Sequence, residues 1–170
     1  MKRENNMNKK VIGIVISIVV TIAIIGIVIY FNTRENEKIE INIEELATKI
    51  VESDAFEDDL EEVSDEVTME AYGFSTEEIQ EIVSYQGSGA TSEELVILQV
   101  KEKNNLNSVK EKINTRLEER KEAFESYLPE EVFKIENRVL EVRGNYVILG
   151  ITKDANKVVE VVEEYSKDRG

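Results

Sequence analysis

EIVSYQGSGATSEELVILQVK, residues 81–101, is the stretch on which the fold turns. Residues 81–86 and 94–101 are rich in branched and aromatic side chains, which suit extended backbone. Between them lies GSGATSE, residues 87–93, a glycine- and hydroxyl-rich segment that reads as a long hairpin loop. A second pair stands nearer the C-terminus. Residues 138–143, RVLEVR, and 146–152, YVILGIT, flank Gly144 and Asn145 and predict a tight hairpin.

Each hairpin is followed by a helical pattern. A long helix begins at Asn105 or Asn107, with Leu106, Val109, Ile113, Leu117, Phe124 and Tyr127 as its apolar stripe. Pro129, the only proline, ends it just after Leu128, and Val132 and Ile135 cover the crossing that follows. Asp154 caps a last helix that turns Val158, Val161, Val162 and Tyr165 inward. Upstream, Asn42 and Glu45 form a capping box ahead of Ile43, Leu46, Ala47, Ile50 and Val51. Ser64 caps a short helix that Gly73 closes, and Ser75 with Glu78 opens a further turn.

The expected class is therefore α+β. Leading helices precede a β-β-α-β-β-α order, which gives a four-stranded antiparallel sheet with helices mainly on one face. The expected inner face carries Val83, Tyr85, Leu95, Ile97, Val139, Val147 and Leu149. The other face is left for covering or for a partner.

Residues 11–31, VIGIVISIVVTIAIIGIVIYF, lie outside that scheme. They run from Val11 to Phe31 without a charge, and as a helix they span about 32 Å, the thickness of a bilayer's hydrocarbon core. The run is longer than a signal peptide's apolar region and no small-residue cleavage pattern follows it, so an uncleaved anchor is expected. Lys2, Arg3, Lys9 and Lys10 precede the run, and only Arg34 and Lys38 follow it closely. Basic residues stay on the cytoplasmic side. Residues 1–10 are thus a cytoplasmic tail, 11–31 a transmembrane helix, 32–41 a linker and 42–170 an extracytoplasmic domain. Gly13, Ser17 and Thr21 recur at spacing four and form a candidate seam for a homodimer, although small residues are common in such helices.

Composition narrows the chemistry. The chain carries −15, of which the tail contributes +3, leaving −18 beyond it. That balance disfavours nucleic acid and anionic lipid and permits cationic partners or divalent ions, although solubility is the simpler account. An acidic surface keeps a tethered domain soluble. With no His, Cys or Trp, neither a Ser-His-Asp nor a Cys-His arrangement can be built, nor a His/Cys zinc site. Residues 52–66 hold nine acids and no base, with Phe56, Leu60 and Val63 as apolar pegs. The pattern lacks the central glycine and alternating acids of an EF-hand, so calcium is disfavoured against a solvated face.

The 87–93 loop offers Gly87, Ser88, Gly89 and Thr91 as a candidate ligand or partner loop, since glycines and hydroxyls can form an anion nest. No Gly-Lys-Ser/Thr follows to make a phosphate loop, and no His is present to activate Ser88. A turn that uses glycine's freedom is the simpler account. Glu93 and Glu94, considered as an acid–base pair, point to opposite faces of a strand and are expected at a loop end facing water. No catalytic, cofactor or metal residue is assigned.

Tyr72-Gly73-Phe74, the segment IVSYQGSGATSEELVILQVK, Tyr127-Leu128-Pro129 and RGNYVILGITKDANK together resemble the bacterial family catalogued as domain of unknown function 4358. The resemblance covers roughly residues 42–165. It implies a secreted or membrane-tethered α+β domain of Gram-positive bacteria and carries no known activity, ligand or catalytic residue. The expected function is a non-enzymatic binding or interaction module at the cell envelope. A structural subunit of a membrane complex and, less favoured, a carboxylate-based cell-wall enzyme are the alternatives.

Overall fold

The computed structural model describes residues 40–167. Contacts divide the chain between Lys38 and Ile39, and the described residues belong to the second unit. The run 11–31, with Gly13, Ser17 and Thr21, lies outside the described residues.

Local chemistry accounts for most element ends. Helix α1 (Ile43–Val51) starts where the Asn42 side chain accepts from the Glu45 N–H at 2.9 Å. The acidic segment contributes a short strand, β1 (Glu61–Val63). Ser64 stands at the start of α2 (Asp65–Tyr72) but makes no side-chain cap; its carbonyl instead accepts from Thr68. Gly73 closes α2 in the left-handed region, φ 65°. A β-carbon there meets no other atom within 4 Å, so Gly73→Ala isolates the backbone term. It is expected to cost about 1 kcal/mol in urea unfolding.

Strands β2 (Ile79–Gln86) and β3 (Glu94–Val100) form the first hairpin, and β4 (Val139–Arg143) and β5 (Tyr146–Ile151) the second. Between the hairpins lie α3 (Asn105–Glu125) and α4 (Pro129–Glu136), with Pro129 at the first turn, where no N–H is needed. Helix α5 (Ala155–Lys167) begins where Asp154 accepts from the Lys157 N–H.

The sheet has five strands, order β1-β2-β3-β5-β4, and every neighbouring pair is antiparallel. This corrects the expected four strands. It also corrects the placement of helices on one face, because both faces are covered. One face packs Val83, Leu95, Ile97 and Ile148 under α1 and α5. The other packs Val96, Leu98, Val147 and Leu149 under α2, α3 and α4. Val147 and Leu149 therefore lie opposite Val83 and Leu95, a one-residue exchange of faces in β5. All six residues of β5 are buried, as a strand covered on both sides requires.

Helices α1 and α5 run antiparallel. Tyr165 meets Asn42 at one end of the sheet, and Asp154 meets Ala55 at the other. Ile41, placed in the linker by the sequence pattern, is already buried in the core. The chain thus enters the domain at the end opposite the 87–93 loop.

Candidate functional site

The loop end of the sheet gathers residues 52–59, 87–93, 131–134 and 152–154. At its centre is Glu93, 1 % exposed. Strand alternation sends Glu93 to the α1/α5 side and Glu94 to the other, so the two carboxylates diverge as expected. Neither faces water, however: Glu94 is fully buried as well, which corrects the expectation of a solvated loop end. A carboxylate survives burial when donors surround it.

Glu93 has such donors. The N–H groups of Glu57 and Asp58 donate to Oε2 at 2.8 and 2.9 Å, and the Lys153 N–H donates to Oε1 at 3.2 Å. The Lys134 ammonium lies 3.4 Å from Oε1, and also 2.9 Å from Glu57 and 3.1 Å from Glu131. One lysine thus sits among three carboxylates from three segments of chain. Burial favours its neutral form, but the surrounding acids outweigh that and raise its pKa.

Glu131 organises the loop from below. Its Oε2 accepts from the Ser92 N–H at 2.7 Å, the Ser92 hydroxyl at 2.9 Å and the Thr91 hydroxyl at 3.1 Å. Burial pushes its carboxyl up, yet the Ser92 N–H, Lys134 and the two hydroxyls prevail and hold it below the usual range. From above, Asp58 accepts from the Ser88 N–H and hydroxyl, both at 2.7 Å, and these bonds lower its pKa. The N–H groups of Ser88 and Ser92 and the hydroxyls of Ser88, Thr91 and Ser92 are thus bound by two of the protein's own carboxylates, which tie the turn to the fold.

The candidate loop residues fall into two groups. Ser88 and Thr91 bind Asp58 and Glu131, while Gly89 stands exposed with open space where a side chain would be. Gly87 is held in a close approach: a β-carbon would lie 2.5 Å from Thr91 Cγ2 and 2.9 Å from Asp58 Oδ2. Gly87→Ala is expected to break the Ser88–Asp58 contact and cost about 1–3 kcal/mol in urea unfolding. Among the acids of residues 52–66, Glu57 and Asp58 join this network. Among the described residues, no group of three or more metal-ligating side chains is arranged to hold an ion.

On the opposite face Glu94 accepts from Gln86 at 2.9 Å and lies 3.6 Å from the Arg120 guanidinium. Arg120 also donates to the Ser92 carbonyl and stacks over Phe124. Burial, and then the Glu94 charge, pushes the nearby Tyr72 hydroxyl well above its ordinary pKa. Lys134 and Glu131 were not singled out by sequence pattern, and Tyr72 only as part of the Tyr72-Gly73-Phe74 motif. The legible signal was the i, i+3 spacing of Glu131 and Lys134, which pairs them once that segment is helical.

The sequence profile of the family described as Domain of unknown function (DUF4358) matches residues 52–152. The chain belongs to the DUF4358 family. The matched span opens at the end of α1 and closes at Thr152, so it contains the whole sheet and every side chain of the Glu93–Lys134–Glu131 network, with only the Lys153 N–H beyond it. No curated protein and no solved structure matches the chain significantly. Among the described residues of this DUF4358 chain, no helix is long and apolar enough to cross a membrane.

Proposed function

We propose that this DUF4358 chain is a non-enzymatic binding or interaction module, held at the membrane by residues 11–31 with its acidic domain outside the cell. The observation that carries the location is the uncharged run itself, together with the basic tail before it. Support for a binding role comes from how the reactive side chains are used. Glu93, Glu131 and Lys134 spend their hydrogen bonds on the fold, and Glu93 and Glu94 diverge across a strand. Paired carboxylates that hydrolyse glycans converge on one cleft instead.

Protease added to intact cells tests the location. It is expected to remove the domain and leave a fragment that retains residues 1–31. A domain that survives on cells but is digested after lysis overturns the topology. Turnover of wall glycan or wall peptide by the purified full chain overturns the non-enzymatic reading. The spacing of Gly13, Ser17 and Thr21 favours a second reading, a subunit of a membrane complex. For that reading, Gly13→Ile with Ser17→Ile is expected to abolish self-association in a membrane reporter, and unchanged association removes it.

A further inference from the structure

The geometry points to a docking slot for an extended, basic peptide segment of a partner protein along the outer edge of β2, residues 79–83. This gives the binding-module reading a surface and a class of partner, and it rests on that reading. Strand β1 is only three residues long and pairs with Ser84, Tyr85 and Gln86 alone. At Ser64 the chain leaves the sheet and becomes α2. The remaining five residues of β2 keep β3 on their inner side and have no strand on their outer side. The Ile79 N–H is taken by the Ser75 carbonyl at 3.1 Å; beyond it, an edge of this kind pairs with an added strand through alternate N–H and C=O groups.

The edge opens on a groove of about 320 Å³, at the small end of the range for binding pockets. Its lining includes Asp65 and Met69 of α2, Gln80 and Glu81 of β2, and Lys101 just after β3. A bulge between Ile79 and Glu81 sets Gln80 out of register, and both Gln80 and Glu81 are exposed. Asp65 and Glu81 give the slot a negative excess over Lys101, on a region that already carries −18. The matching occupant is a strand that alternates apolar and basic residues, continues the line of β1 and runs antiparallel to β2.

Hydrogen exchange on the full chain in detergent tests this with three short synthetic peptides. One alternates Val and Lys, one alternates Val and Glu, and one is the Val/Lys peptide N-methylated at alternate backbone nitrogens. The Val/Lys peptide is expected to slow exchange at alternate amides within residues 80–83. The Val/Glu and N-methylated peptides are expected not to. Asp65→Lys with Glu81→Lys, checked for an unchanged melt, is expected to weaken Val/Lys binding at least about tenfold. Three results overturn the slot: binding by the N-methylated peptide as tightly as by its parent, slowing confined to other surfaces such as residues 88–90, or binding by no peptide. None of these bears on the binding-module reading itself, which falls instead if turnover is found.

Discussion

Glu93→Ala is expected to lower the stability of the domain by about 3–5 kcal/mol, roughly a 10–15 °C fall in melting temperature for a domain of this size. The effect comes less from Lys134 than from the backbone. Lys134 keeps Glu57 and Glu131 when Glu93 is truncated. The N–H groups of Glu57, Asp58 and Lys153 lose their acceptor together. A fully buried N–H left without a partner costs about 1–3 kcal/mol, and these three are part-buried, so water entry lowers each share. Glu93→Gln retains an oxygen for Glu57 and Asp58 but turns an NH2 toward Lys153, so it is expected to fall between the two. The double change Glu93→Ala with Lys134→Ala should cost less than the sum of the singles, because the two side chains touch. Urea unfolding of the full chain in detergent measures all four, and a loss below about 1 kcal/mol for Glu93→Ala would remove Glu93 from the centre of the network.

The second large effect is acid sensitivity at the opposite end of the sheet. Glu78 accepts from Lys112 at 2.6 Å, from Ser108 at 2.7 Å and from the Ser75 N–H at 3.0 Å, and its side chain is 15 % exposed. Burial pushes its carboxyl up, but Lys112, Ser108 and Ser75 prevail and hold it at about 2, against an ordinary 4.5. A carboxyl that is depressed in the folded state contributes stability above its unfolded pKa and loses it as pH falls through the folded one. Stability is therefore expected to fall between roughly pH 4.5 and pH 2, by about 1–2 kcal/mol from Glu78 alone once solvent screening is allowed for. Asp58 and Glu131 are depressed as well and steepen the fall in the same direction. Glu78→Gln should lower stability at neutral pH and flatten the acid limb. Equal slopes for the parent and Glu78→Gln below pH 4.5 would show that this carboxyl is not held down.

Much of this architecture is legible residue by residue. The caps at Asn42, Gly73 and Asp154, the Ser75–Glu78 turn, and the two hairpins follow from interactions within a few positions of sequence. The helix stripe of Val109, Ile113, Leu117 and Phe124 follows from the 3.6 period. The double cover of the sheet also left a trace in the unbroken apolar runs of β3 and β5, which match a strand buried on both faces better than one with a wet side. Strand β1 left none. Glu61-Glu62-Val63 has the composition of a solvated segment and becomes a strand because β2 offers it an edge.

The candidate loop shows the same division. Glycines and hydroxyls at residues 87–92 announce a turn, but the carboxylates that bind its N–H and hydroxyl groups, Asp58 and Glu131, lie some 30 and 40 positions away. Sequence alone determined the anchor-like run, the charge balance, the hairpins and the caps, since each depends on composition or on neighbours along the chain. Tertiary structure decided the fifth strand, the side of the sheet each helix takes, and the burial of Glu93 and Glu94 with donors from distant segments. Those features depend on contacts between residues far apart in sequence, and no local period encodes which of many compatible partners a chain will bring together.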